Sequence, residues 1–121
     1  MAVENQASPI PSVDTIDTVV RLKGGGAYYG LIVASPLPGD EISQQRLLNK
    51  IAAYIQDFYS DASLSISGRP TMENSRIHVR IHPESDPVVF ELLARCRNWV
   101  EGNHIQFIID TDLSRDTMER A

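Results

Sequence analysis

Cysteine is almost absent from this sequence of 121 residues, in which Cys96 stands alone. A single cysteine excludes an internal disulfide, and a reducing cytoplasm is the simplest compartment for such a chain. Long apolar runs are missing too. No stretch approaches the roughly 18 apolar residues that a membrane span needs, and residues 1–12 lack the basic start and apolar run of a signal peptide. These absences predict a cytoplasmic protein without a membrane segment.

Basic charge is also scarce. The chain has 11 Lys and Arg residues against 16 Asp and Glu residues, which gives a formal net charge of −5. A general nucleic-acid binder needs clustered positive charge to displace counterions, so general nucleic-acid binding is not expected. The hydrophobic content of 42% and the length are typical of one globular domain with its own core.

Motifs for catalysis and for cofactors are lacking as well. Gly24–Gly26 precedes a strand pattern, whereas a phosphate loop leads into a helix and usually supplies a Lys-Ser/Thr pair. Cys96 falls on an apolar helical stripe, where a thiol packs as a small hydrophobe. On a strand, His78 and His82 would lie about 13 Å apart, too far to share one metal ion. We therefore expect no catalytic residue, no metal site and no cofactor.

Two amphipathic helices are predicted. The first is capped by Asp40 and runs to about Tyr59; the second is capped by Asp86, has Pro87 at its first position and ends at Gly102 as a C′ residue. Their apolar stripes are Ile42, Leu47, Leu48, Ile51, Tyr54, Ile55 and Phe58, and then Val89, Leu92, Leu93, Cys96, Trp99 and Val100. Polar residues, Lys50 among them, fill the other side of the first helix.

Four strands complete the expected fold. Residues 16–23 and 27–35 are rich in β-branched or apolar residues and form a hairpin around the three glycines, while residues 76–82 and 104–110 alternate. The segment 60–75 is expected to be a loop, with a possible short strand at 64–66. The prediction is an α+β two-layer sandwich of order ββαβαβ: a four-stranded, mostly antiparallel sheet with two helices on one face. Residues 13–112 would form the domain, between a flexible tail at 1–12 and a frayed tail at 113–121.

The alternation in the third strand predicts a polar sheet face. Successive side chains of a strand point to opposite faces, so the apolar positions of residues 76–82 would face the helices and the others would oppose them. The residues that we assign to this polar face are Arg76, His78, Arg80, His82, His104, Arg21 and Lys23. Such a face is either simple solvated surface or a binding site for an anionic ligand or an acidic partner, which histidine protonation below a pH of about 6.5 would strengthen.

A few positions resemble an uncharacterised bacterial family of small α+β proteins. They are an "ID" strand start at Ile16 and Asp17, and the helix residues Leu48, Asn49, Lys50, Ile51 and Tyr54. The chain departs from that pattern at Gly24–Gly26 and in the following SPLPGDE, where the family has an acidic-aromatic stretch. The family has no established activity, so the resemblance implies a fold and no mechanism.

Three functional hypotheses remain. The leading one is a non-enzymatic protein that binds another macromolecule, for example an immunity or antitoxin-like protein that neutralises a basic toxin by charge complementarity. The second is a small ligand-binding domain or enzyme that holds an anionic ligand on the His/Arg face. The third is a structural homodimer that pairs its sheets. A pocket over His78, Arg80 and His104 would favour the second hypothesis.

Overall fold

A computed structural model describes residues 9, 10, 12, 13 and 15–113. This part of the chain forms β1 (Thr18–Arg21), β2 (Ala27–Val33), α1 (Glu41–Phe58), α2 (Asp61–Ser67), β3 (Ser75–Ile81), α3 (Pro87–Glu101) and β4 (Gln106–Asp110). The four strands make one sheet in the order β1-β2-β3-β4. The α+β class and the four predicted strands are confirmed.

The direction of the strands differs from the prediction. β1 and β2 are antiparallel, but β2 pairs with β3, and β3 with β4, in parallel. The expected mostly antiparallel sheet is therefore wrong, and the sheet is mixed. A tight turn can join antiparallel strands, and Gly24–Gly26, with φ of 85°, 117° and 95°, forms that turn. Helices precede β3 and β4 and return the chain to the end where the previous strand began, which makes these pairs parallel.

Both predicted helices are present with their predicted caps. The Asp40 carboxylate accepts a hydrogen bond of 2.9 Å from the Ser43 amide, and Asp86 accepts one of 2.9 Å from the Val88 amide. α3 ends at Gly102 as predicted, but Gly102 is its C-cap residue in the right-handed helical conformation and not a C′ residue. No helix among the described residues is long and apolar enough to cross a membrane.

A third helix, α2, occupies part of the segment predicted as a loop. The Ser60 side chain caps it by accepting from the Ser63 amide at 3.2 Å. Ser63 is buried, whereas Ile66 is 67% exposed, so the usual apolar-in pattern is reversed. A helix of seven residues without an apolar stripe has no hydrophobic periodicity that a sequence can reveal. The suggested strand at 64–66 was therefore wrong, because these residues belong to α2.

The core lies on one side of the sheet. Alternate side chains of three strands are buried there together with apolar side chains of α1 and α3. These strand residues are Tyr29, Leu31, Val33, Ile77, Val79, Ile81 and Phe107. Cys96 is buried as predicted, but Ile42 (72% exposed) and Trp99 (40% exposed) were wrongly assigned to the buried stripes.

A buried lysine ties the segment before β1 to the domain. Lys50 is 3% exposed, and its ammonium group donates to the carbonyl oxygens of Ser12 (2.7 Å) and Thr15 (2.9 Å) and to the Asp17 carboxylate (3.0 Å). Ile10, inside the segment predicted as a tail, is buried in the core. Residues 1–8 and 114–121 lie outside the described part of the chain, so the two tails stay predictions.

Candidate functional site

The sheet has a second face, which is not part of the core. Cross-strand register places eleven positions on it, and we call this surface the open face. Its residues are Thr18 and Val20 of β1, Tyr28, Gly30 and Ile32 of β2, Arg76, His78 and Arg80 of β3, and Gln106, Ile108 and Asp110 of β4. All of them except Gly30 are half-buried or exposed. The alternation of β3, in which odd residues are buried and even ones are not, confirms the predicted polar side of this strand.

Arg76 lies in the best-defined row of the open face. It pairs with Tyr28 on one side and with Gln106 on the other. Its guanidinium carbon is 4.3 Å from the centroid of the Tyr28 ring, a cation–π geometry. Its Nε donates to Gln106 Oε1 at 3.2 Å. Two neighbouring strands therefore hold this guanidinium group in place.

His78 lies in the next row, between the two arginines of β3. Its Nε2 is 3.4 Å from Asp110 Oδ2, and its side chain is 17% exposed. Burial lowers the pKa of His78; the neighbouring Arg80 and Arg76 lower it further, whereas Asp110 opposes them. The pKa of Asp110 is lowered in turn, first by the Asp112 amide that donates to it and also by His78. At neutral pH the pair is therefore a neutral imidazole beside a carboxylate.

Two predicted site residues do not belong to the open face. Arg21 pairs with Ala27, whose side chain faces the core, so Arg21 lies on the core side of the sheet. Its guanidinium group donates to Ser67 Oγ (3.0 Å) and Ser63 Oγ (3.2 Å) of α2. Lys23 is exposed in the turn after β1. Their assignment to the polar face was wrong because it depended on how β1 pairs with β2. The sequence of a four-residue strand does not determine that register, and a shift of one residue moves every side chain to the other face.

The other two predicted histidines flank the open face at the ends of strands. His82 directly follows β3, and its Nδ1 accepts a hydrogen bond of 3.0 Å from the Glu84 amide. His104 is exposed, lies two residues before β4 and has a positive φ of 66°. Arg76, His78 and Arg80 are thus brought together on the open face, while His82 and His104 lie beyond its rows.

Sequence reasoning named no apolar residue among the site residues of this surface. Val20 (38% exposed), Ile32 (36%) and Ile108 (37%) surround the charged residues, and Tyr28 supports Arg76. The alternation of residues 104–110 puts Gln106 and Ile108 on the side of the strand opposite to Ile105 and Phe107. Tyr28 could be matched to Arg76 only through the parallel register of β2 and β3. The resulting surface mixes an aromatic ring, aliphatic side chains and arginines.

A small cavity lies beside the start of β1 and reaches Ile32 of the open face. It has a volume of about 120 Å³, and Lys50, Asp17 and Ile32 are among the residues that line it. The three hydrogen bonds of the Lys50 ammonium group leave that group no donor for a ligand. Lys50 therefore holds the segment before β1 in this cavity and does not mark a binding site.

Metal binding has no support among the side chains that the structure describes. No three His, Cys, Asp or Glu residues of this part of the chain lie together in a way that could hold an ion. The absence of metal and cofactor sites remains a prediction.

The fold and the open face together define an α+β domain with a mixed four-stranded sheet and one amphipathic, partly basic sheet surface. No family model, no curated protein and no solved structure matches this chain. The resemblance to a bacterial family therefore stays a prediction, and the functional argument depends on the residues of the open face.

Titration of His78 gives the first testable expectation. We expect its midpoint below 6.5, the ordinary pKa of histidine, and still lower in Asp110→Asn, because the Asp110 carboxylate stabilises the imidazolium ion. The measurement is the pH dependence of the His78 ring proton shifts in NMR spectra. Asp61→Asn, which removes a carboxylate on α2, is the control and should leave the midpoint unchanged. A midpoint at or above 6.5, or a rise in Asp110→Asn, would contradict the geometry.

The same shift has a consequence for stability. Because folding lowers the pKa of His78, the unfolded chain binds more protons than the folded protein between the folded pKa and 6.5. The contribution of His78 to the free energy of unfolding is therefore present above pH 6.5 and falls as the pH drops from 6.5 through the folded pKa. Any strengthening of anion binding by His78 protonation must then begin at a lower pH than the ordinary histidine value suggests.

Proposed function

We propose that this protein is a non-enzymatic binding protein of the cytoplasm and that its open face docks on an acidic surface of another protein. In this proposal the domain is a two-layer sandwich, with its helices on the core side of the sheet and its partner on the other. The open face would then be the uncovered side of the sheet, available for a macromolecule.

The composition of the open face is the observation that supports this proposal. Protein interfaces are enriched in Tyr and Arg and combine an apolar centre with polar groups at the rim. Here the Arg76 guanidinium group lies over the Tyr28 ring, and Val20, Ile32 and Ile108 expose aliphatic surface on the same face of the sheet. A face with no binding role would not need so much exposed apolar surface beside an arginine that its neighbours hold in place.

The charge of the open face favours an acidic partner. Its described residues include the basic Arg76 and Arg80 and the acidic Asp110, within a chain whose formal net charge is −5. An immunity or antitoxin role against a basic toxin would instead require an acidic binding surface. Among the proposed binding roles, the open face therefore supports one in which the partner, rather than this protein, supplies the carboxylates.

A pair of photo-crosslinking variants tests the proposal. One carries a photoreactive residue at Ile108 on the open face, and the matched control carries it at Ile42, an exposed isoleucine on α1. We expect a covalent adduct with one defined acidic protein from position 108 and none from position 42. Mass spectrometry identifies the adduct. A second copy of this chain would instead indicate the homodimer, and adducts of equal yield from both positions would contradict the proposal.

The affinity for the identified partner then measures how much Arg76 and Arg80 contribute to binding. The double variant Arg76→Ala with Arg80→Ala should weaken binding at least tenfold, or about 1.4 kcal/mol, because charge-assisted hydrogen bonds are lost. Arg69→Ala with Arg95→Ala, two exposed arginines outside the open face, is the control. Calorimetric titration below the melting temperature of every variant measures the dissociation constants. Equal affinities for the two double variants would show that the open face is solvated surface only.

A further inference from the structure

The Tyr28–Arg76–Gln106 row contains a guanidinium group with one unused edge. The guanidinium carbon of Arg76 lies over the Tyr28 ring, 4.3 Å from its centroid, and Gln106 Oε1 accepts the Nε hydrogen bond at 3.2 Å. No described residue accepts a hydrogen bond from either Nη atom of Arg76. The two terminal nitrogens are therefore fixed in direction and available to a ligand.

We infer that Arg76 is a carboxylate-binding site that receives a glutamate or aspartate side chain of an acidic partner segment, end-on, through Nη1 and Nη2. This inference rests on the proposed function and adds the chemistry of the contact. An arginine can bind a carboxylate side-on through Nε and one Nη, or end-on through both Nη atoms. Since Gln106 occupies Nε, the end-on mode remains.

Preorganisation distinguishes Arg76 from an ordinary surface arginine. A mobile arginine loses rotamer entropy when it binds, and this cost offsets much of the Coulomb attraction. The cation–π contact with Tyr28 and the Gln106 hydrogen bond restrict the side chain before a ligand arrives. Less entropy is therefore lost on binding, which makes the site selective for a planar partner with two acceptor oxygens.

The surroundings of the site favour a carboxylate on a protein side chain. Val20 pairs with Tyr28 in the register of β1 and β2 and is 38% exposed, and Ile108 is 37% exposed on the strand that carries Gln106. The methylene groups of a glutamate can pack on such aliphatic surface while its carboxylate reaches Arg76. A free inorganic phosphate would make no use of these apolar neighbours.

An NMR titration with an N-acetylated hexaglutamate peptide tests the inference on the full chain. We expect the peptide to shift the Arg76 Nε–Hε resonance and the neighbouring amides of β3. Arg76→Lys retains the charge but loses the two parallel donors, and it should weaken the apparent dissociation constant at least fivefold. Gln106→Leu removes the Nε restraint and should weaken it at least twofold. Arg95→Lys, on the exposed side of α3, is the control and should have no effect.

The outcomes are separable from those of the proposed function. An unshifted Arg76 resonance, equal peptide affinities for the protein and Arg76→Lys, or equally tight binding of inorganic phosphate at Arg76 would overturn the inference. If the partner crosslinked at Ile108 binds Arg76→Lys as tightly as the unmodified protein, the open face is a docking surface and Arg76 is not its carboxylate site. If hexaglutamate binds at Arg76 and no partner crosslinks at Ile108, the carboxylate site stands and the proposed function fails.

Discussion

Ile51→Asp should prevent the domain from folding. Ile51 lies in the middle of α1, its side chain is fully buried, and it belongs to the core cluster that α1 and α3 form with strand residues. An aspartate at this position would bury a charge without a partner or, after protonation, a carboxyl group without hydrogen bonds. We expect a loss of about 4 kcal/mol or more in the free energy of unfolding, a large part of what a small domain possesses. Circular dichroism and a urea titration measure it.

Ile42→Asp is the matched control for this substitution. The same change is made in the same helix, but Ile42 is 72% exposed and follows the acidic first residue of α1. An aspartate there is solvated, and in the first turn it interacts favourably with the helix dipole, so we expect stability within about 0.5 kcal/mol of the unmodified protein. Comparable losses in both variants, or a folded Ile51→Asp, would mean that the core does not lie where the structure places it.

Lys50→Met is expected to produce the second largest effect. Methionine can replace the aliphatic part of the lysine side chain, but it removes the ammonium group that three acceptors share, and these acceptors include the Asp17 carboxylate. Removal of one partner from a buried ion pair typically costs about 3–5 kcal/mol. Because the Asp17 side chain is 25% exposed and is partly solvated without its partner, we expect a loss of about 2–3 kcal/mol. Urea denaturation measures the difference.

A local readout separates this mechanism from a general loss of stability. The Ile32 amide donates to Asp17 Oδ2 at 2.9 Å, so its hydrogen exchange should accelerate more in Lys50→Met than that of the amides in the middle of β3. Lys23→Met, which changes the exposed lysine of the β1–β2 turn, is the control and should alter neither measurement. If Lys50→Met is as stable as Lys23→Met, the buried lysine does not hold the segment before β1.

The open face shows which contacts the alternation of a single strand can predict and which it cannot. The strict alternation of residues 76–82 placed Arg76, His78 and Arg80 on the same side of β3, because side-chain direction within a strand has a fixed period of two. The pattern contained no information about the strand beside it. Tyr28 became a neighbour of Arg76 only through the parallel register of β2 and β3, and Arg21 was misplaced because the register of β1 was unknown.

Lys50 and Trp99 show the corresponding limit for helices. Helical periodicity identified most of the buried stripe of α1 and α3, but it treated residue type as a guide to burial at the borders of the stripe. Lys50 is buried because backbone carbonyls of residues 12 and 15, distant in sequence, surround its ammonium group. Trp99 is 40% exposed because no described element covers that edge of α3.

The sequence by itself determined the elements that local chemistry specifies: the glycine turn between β1 and β2, the capped starts of α1 and α3, and the inward side of β3. Turns, caps and side-chain alternation depend on residues that are close in the chain. The tertiary structure alone decided the parallel pairing of β2, β3 and β4, the burial of Lys50 and the Tyr28–Arg76–Gln106 row. These features join residues 30 or more positions apart, and their free energy depends on which surfaces meet, which no local pattern specifies.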